Sequence, residues 1–423
     1  MFSRVVFSDL VLSGLLLVLP CLPLTLAHAA NPIPGTVLSS TTLKTFTVAA
    51  MDAELGDQRD FIGAPRCDVR LVDLTYATVG VHNEPATASA MLLLPEGKTC
   101  KGPYPLMGWA RGTETQRDSG QAQRLLKTGD SPVLAFFAAQ GYAVVATDYL
   151  GLGRSDYAFH PYLHADSEAS AIIDSLRAAR ELSTKLKAPL SGKVMLAGYS
   201  QGGHAAMAAQ RAIERDASAE FNLVASAPMS GPYSLSQTFL GSWSGVTAAG
   251  TNTLAPYLLA YTVTAMQGVY GNIYDTPQQV FREPWAAQLK SEFPGQHNLF
   301  EMLDQHALPP VAELDQLRQP AFTKAFVDDP QMPFRQALAR NDLLDWTPRT
   351  PTALCGSHRD AVVAFANSQA AEAAFSSRGA PVTLLDVSPR IPPEVDGVQV
   401  HTRAAAYLCL GAVREQLFAP ARS

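Results

Sequence analysis

Five cysteines in 423 residues are too few for a disulfide-built scaffold. No two of them stand at the close spacing of a zinc ligand pair, so no metal site is expected there. Charge is sparse as well. Asp, Glu, Lys and Arg make up 17% of the chain, and 32 basic against 38 acidic residues leave a net charge of −6 with no basic block. That excludes the electrostatic footprint of a nucleic-acid binder. The 29 Gly and 30 Pro follow no Gly-X-Y period and the chain shows no internal repeat, which rules out collagen-like and solenoid architectures. Long hydrophobic runs are missing except for one at the start. Arg4 precedes an apolar stretch from Val11 to Leu26, broken by Pro20 and Pro23 and ending in Ala27-His28-Ala29. Short for a bilayer and closed by a small-x-small site, residues 1–29 read as a removed export signal. Pro20 before Cys21 argues against lipoprotein processing. A secreted or periplasmic protein is expected, with no transmembrane segment after processing.

Beyond that segment the chain is rich in core-forming material, 47% hydrophobic. Strand-like runs at 69–78, 87–94, 104–109, 142–147, 193–197, 223–227, 352–354 and 382–385 alternate with helical patterns at 131–140, 167–186, 204–215, 361–375 and 402–417. The alternation predicts an α/β fold with a mostly parallel central sheet flanked by helices. Between 235 and 346 the rhythm breaks. Leu254, Leu258, Tyr261, Ala265 and Val269 recur at helical spacing there, so this stretch is expected to be a helical cap inserted after the sixth predicted strand. Residues 30–234 and 347–423 would form the catalytic domain. The four cysteines left after processing predict two disulfides, Cys67–Cys100 and Cys355–Cys409, each joining neighbours in this order of elements.

Gly198-Tyr199-Ser200-Gln201-Gly202 carries the most information. It directly follows the apolar Val194-Met195-Leu196-Ala197 and precedes an Ala-rich helical run. A strand turning sharply into a helix at Gly-x-Ser-x-Gly is a nucleophile elbow, with the serine exposed at the turn. A serine hydroxyl needs a base, and the base needs an orienting carboxylate. In the order serine, acid, histidine, the chain offers His401, its last histidine, and Asp360 in a polar turn after the 352–354 run. Asp386 is the rival acid, and Asp360 could instead cap a helix. His358 is too near Asp360 in sequence to serve as its partner, and His204 fits packing or hydrogen bonding better than catalysis. Oxyanion donors are expected from the backbone N–H of Gln201 and, in the loop after the 104–109 strand, from Thr113. Gly151-Leu152-Gly153 follows a strand, but Asp156 stands where a dinucleotide fingerprint needs its third glycine. No cofactor is implied, and the turn is expected to line the mouth of the site. His160-Pro-Tyr-Leu-His164 lacks the HExxH glutamate and is not read as a metal site.

Gly-Tyr-Ser-Gln-Gly-Gly-His, the Asp148-Tyr-x-Gly-x-Gly turn, the His160-Pro-Tyr-Leu run and the long insertion after the elbow resemble the secretory lipase family. The resemblance spans about residues 67–417. It implies an α/β-hydrolase fold and an extracellular serine hydrolase that acts on hydrophobic carboxylic esters, including those met at a lipid–water interface. Where relatives often show His-Gly-Thr in the oxyanion loop, this chain has Arg111-Gly112-Thr113. Two other readings share the fold. A capped aminopeptidase would need an acidic site for the substrate ammonium, with Glu283 or Glu313 as candidates, and a binding module would need no triad.

Overall fold

Continuous apolar runs such as Ala143–Thr147 become strands buried on both faces, as a sheet covered by helices requires. In the computed structural model, which describes residues 1, 31–129, 131–244 and 251–422, the strands form one nine-stranded sheet. Apart from residue 1, the expected export signal falls on residues outside that description. Strands β1 (Val37–Phe46), β2 (Asp68–Val79), β3 (Pro85–Glu96), β4 (Tyr104–Ala110), β5 (Ala143–Thr147), β6 (Leu190–Tyr199), β7 (Asn222–Met229), β8 (Thr352–Gly356) and β9 (Val382–Asp386) lie in the order β1-β2-β3-β5-β4-β6-β7-β8-β9. The first three pairings are antiparallel and the rest parallel. This is the α/β-hydrolase arrangement expected, with one strand more.

The extra strand is β1. Its Ser, Thr and Lys residues are largely exposed at the sheet edge, so it carries no core-facing alternation to read from sequence. The helical insertion follows β7, which is the sixth predicted strand, at 223–227, as expected.

Alternate residues of each strand face opposite layers. Val72, Leu92, Leu106, Val145 and Leu196 pack under the Ala165–Lys185 and Gln201–Asp216 helices, while Leu71, Leu93, Met107, Val144 and Met195 pack against Val133, Phe136, Cys409 and Val413. Between β7 and β8 the described chain is helical. Leu235–Trp243, Ala255–Tyr270, Trp285–Glu292, Leu299–Asp304, Pro320–Asp328 and Pro333–Arg340 share a third core rich in aromatics, among them Trp243, Phe322, Phe326 and Phe334. Both expected disulfides are present, with Cα–Cα distances of 5.2 Å for Cys67–Cys100 and 5.7 Å for Cys355–Cys409. Among the described residues, no helix is long and apolar enough to cross a membrane, and no cluster of three metal-ligating side chains occurs.

Candidate active site

At the C-terminal end of β6 the chain reverses into the Gln201–Asp216 helix through Ser200, whose backbone sits at φ 61°, ψ −123°. A non-glycine residue there is strained by roughly 1–3 kcal/mol and persists only if its surroundings hold it. They do: Ser200 N–H donates to Met229 O at 3.0 Å, and Gly203 N–H donates to Ser200 O at 2.8 Å. The turn closes because its glycines lack side chains. A Cβ on Gly202 would lie 1.9 Å from Ala110 O, and one on Gly198 would lie 2.0 Å from Gly202 O.

His401 Nε2 is 2.8 Å from Ser200 Oγ, and His401 Nδ1 is 2.6 Å from Asp360 Oδ2. The chain thus brings together three residues separated by 160 and 41 positions in sequence, counting from Ser200 to Asp360 and from Asp360 to His401. Asp360 faces the imidazole but does not cap the following helix, whose N-cap is Phe365. Its Oδ1 accepts the N–H groups of Val362 and Val363 at 2.9 Å, fixing the turn after β8, while Oδ2 faces the imidazole. The helix anticipated from residue 361 begins only at Ala366, since that turn intervenes. His401 stands on a π-helical turn, Val400–Ala404, and the helical run expected from 402 starts at Gly397 behind the Asp396 cap. Tyr199 OH donates to His401 O at 2.8 Å and holds the turn against the elbow. The Cys355–Cys409 bridge ties the strand before Asp360 to the helix after His401.

Asp386 lies apart from this arrangement. It accepts from Ser388 N–H, and its other oxygen is 3.8 Å from the exposed His358. His204 is fully buried behind the elbow, with Nδ1 2.7 Å from Glu168 Oε2 and Nε2 2.9 Å from Asn341 O.

A cavity of about 180 Å³ opens over Ser200 and His401, walled by Gly112, Thr113, Leu254, Leu258, Leu299 and Val362, with Phe300 at its rim. Gly112 packs close enough that a Cβ there would be 3.8 Å from Ser200 Cβ. Thr113 Oγ1 pairs with Tyr162 OH at 2.8 Å. Gln201 begins the helix, so its backbone N–H is among those a helix leaves without an internal acceptor. Arg111 is buried. Its guanidinium donates to Ser119 O and to Glu114, whose carboxylate also accepts the Thr115 and Gln116 N–H groups, so it orders the loop instead of meeting solvent.

The glycine turn at 151–153 does not line the cavity. It backs the loop after β4, with Tyr149 OH donating to Arg111 O and Gly153 N–H to Arg117 O. Glu283 and Glu313 are both exposed and do not border the cavity, so neither supplies the ammonium site an aminopeptidase would need. His160 and His164 point to structural partners, Leu150 O and Ser167 Oγ. Burial pushes both imidazoles down to about 4, which keeps them neutral near pH 7. Glu168, buried in the Ala165–Lys185 helix, carries no mark in the sequence, where an acidic first turn reads as ordinary helix chemistry.

The secretory lipase family model matches residues 121–290. Among solved structures, a ligand-bound form of the rice cell wall degrading esterase LipA from Xanthomonas oryzae is 49% identical over 92% of this chain and 100% of its own, with a TM-score of 0.89. A putative hydrolase from Legionella pneumophila (24% identity, 89% of this chain and 95% of its own, TM-score 0.78) shares the fold. So does Candida antarctica lipase A in its closed state (17% identity, 87% and 79%, TM-score 0.64). No curated protein sequence matches the chain.

Proposed function

The chain belongs to the secretory lipase family of α/β-hydrolases and is a carboxylic ester hydrolase, and from that premise we propose an exported enzyme that cleaves hydrophobic acyl esters through Ser200, His401 and Asp360. The observation that carries the assignment is the unbroken hydrogen-bonded line from Asp360 Oδ2 through His401 to Ser200 Oγ, 2.6 and 2.8 Å, at the foot of an apolar cavity.

Ser200 Oγ attacks the ester carbonyl as His401 Nε2 takes its proton. Asp360 holds Nδ1–H, which selects the tautomer with a free Nε2 lone pair and stabilises the imidazolium that forms. The Gln201 and Thr113 N–H groups receive the oxyanion, each donor worth roughly 3–4 kcal/mol in comparable sites. The imidazolium returns its proton to the leaving alcohol. Water then attacks the acyl-Ser200 ester by the same route, releasing the carboxylic acid and the free serine.

The 235–346 insertion serves as the cap, and Leu254, Leu258 and Leu299 give the acyl chain an apolar wall. Two disulfides and the N-terminal segment agree with export to an oxidising compartment. The 49% identical relative degrades rice cell wall, so plant-wall esters belong among the substrates tried. The experiment is hydrolysis of p-nitrophenyl esters from acetate to palmitate by the protein and its Ser200→Ala variant, beside a panel of aminoacyl p-nitroanilides. Ester turnover that vanishes in the variant is expected. Anilide cleavage without ester cleavage would replace this reading with the peptidase.

A further inference from the structure

The Gln201 side chain does not face the cavity. Its amide Nε2 donates both hydrogens inward, to Glu168 Oε1 at 2.9 Å and to His160 Nε2 at 2.8 Å. His160 can accept there because its Nδ1–H is committed to Leu150 O at 2.9 Å. Turning the amide over would set its oxygen against the Glu168 carboxylate, so the orientation is fixed. All three side chains are 1% exposed. A buried carboxylate this near the elbow should oppose negative charge developing on the substrate. His204 answers that. Both of its nitrogens face acceptors, Glu168 Oε2 at 2.7 Å and Asn341 O at 2.9 Å, so the Glu168–His204 pair holds two hydrogens and is neutral as a unit. The same wall reaches the second donor, since His160 packs on Tyr162, whose hydroxyl pairs with Thr113.

We propose that Glu168 is a positioning residue for ester hydrolysis: with His160 it clamps the Gln201 amide and so aims the Gln201 backbone N–H at the oxyanion, while His204 supplies the hydrogen that keeps the carboxylate from opposing it. This rests on the Ser200 and Gln201 assignment above. The clamp acts only on where the donor sits, so it is felt as the oxyanion forms and not when substrate binds.

The test measures kcat and KM on p-nitrophenyl butyrate for Glu168→Leu, Glu168→Gln, Gln201→Leu and the double Leu variant. Glu168→Leu is expected to lower kcat about 10- to 100-fold, part of what a lost or misplaced oxyanion donor costs, with KM within about twofold. Gln201→Leu, which keeps its backbone N–H, should do the same. The double variant should be no slower than the slower single one, since both changes break one clamp. Glu168→Gln should stay within about threefold of the parent enzyme, because its amide can accept from Gln201 and donate to a neutral His204. A folded Glu168→Leu enzyme with kcat within twofold, losses that multiply in the double variant, or a Glu168→Gln enzyme as slow as Glu168→Leu would each overturn the proposal. If Glu168→Leu does not fold, Gln201→Leu decides alone, and a kcat within twofold sinks the idea. Ser200→Ala run alongside separates the two claims: turnover surviving there defeats the nucleophile assignment, whereas its loss beside an indifferent Glu168 defeats only the clamp.

Discussion

Replacing Asp360 by Asn should nearly abolish turnover while leaving the fold in place. The carboxylate makes three bonds, two from the Val362 and Val363 N–H groups to Oδ1 and one to His401 Nδ1 through Oδ2. In the variant, the amide oxygen keeps the two backbone donors and the NH2 group is left facing Nδ1. Rotating the amide to present its oxygen to His401 would set NH2 against two N–H donors, losing two hydrogen bonds at about 1 kcal/mol each before the penalty for buried unpaired donors. The imidazole therefore adopts the tautomer with Nδ1 as acceptor and Nε2–H pointing at Ser200, which cannot take the serine proton. In other serine hydrolases that error costs about 10⁴-fold in kcat, or roughly 5 kcal/mol of barrier. The assay is kcat on p-nitrophenyl butyrate, with circular dichroism to show that the fold is retained. Asp386→Asn is the control and should leave kcat unchanged, since Asp386 pairs with Ser388 away from His401. Activity within tenfold of the parent for Asp360→Asn, or a large loss in Asp386→Asn, would mean that Asp360 does not set the His401 tautomer.

Three other outcomes are expected. Converting Cys355 and Cys409 together to serine opens a loop of 54 residues and should lower unfolding stability by about 4 kcal/mol on the chain-entropy estimate, read from urea midpoints; a change below about 1 kcal/mol would count against it. His160 and His164 are held near 4 by burial and are protonated near 6.5 when unfolded, so the unfolded state binds more protons between these values and stability must fall as the pH drops from about 6.5 to about 4. The fall approaches about 3 kcal/mol per histidine, and His164→Gln should flatten it in urea titrations at pH 7, 5.5 and 4. Leu258 borders the cavity, so Leu258→Trp should shift the acyl optimum toward acetate, cutting the butyrate-to-acetate ratio of kcat/KM about tenfold; an unchanged ratio would remove Leu258 from the acyl wall.

The residues that could be read from sequence share one property: their chemistry is tied to a local break in pattern. Ser200 announces itself because an apolar strand must turn within one residue into a helix, and glycines at 198 and 202 let the backbones approach. Asp360 sits where a strand ends in a polar turn, and chain order then leaves His401 as the candidate base. Both disulfides followed from the order of elements. What was not legible depends on contacts across the fold. Strand β1 has no apolar alternation because its residues are largely exposed on both faces at the sheet edge. Glu168 meets Gln201 and His204 from 33 and 36 residues away, and an acidic residue in a first helical turn carries no mark of burial. The 151–153 turn followed its strand as expected, but the Tyr149 hydroxyl anchors it behind Arg111, away from the cavity.

The proposed mechanism passes through a covalent intermediate at one serine. Rapid mixing with p-nitrophenyl butyrate, acid quenching during the first turnover, and peptide mass mapping should find the butyryl group on the peptide containing Ser200 and none in Ser200→Ala. An adduct on another residue, or steady turnover by Ser200→Ala, would contradict it.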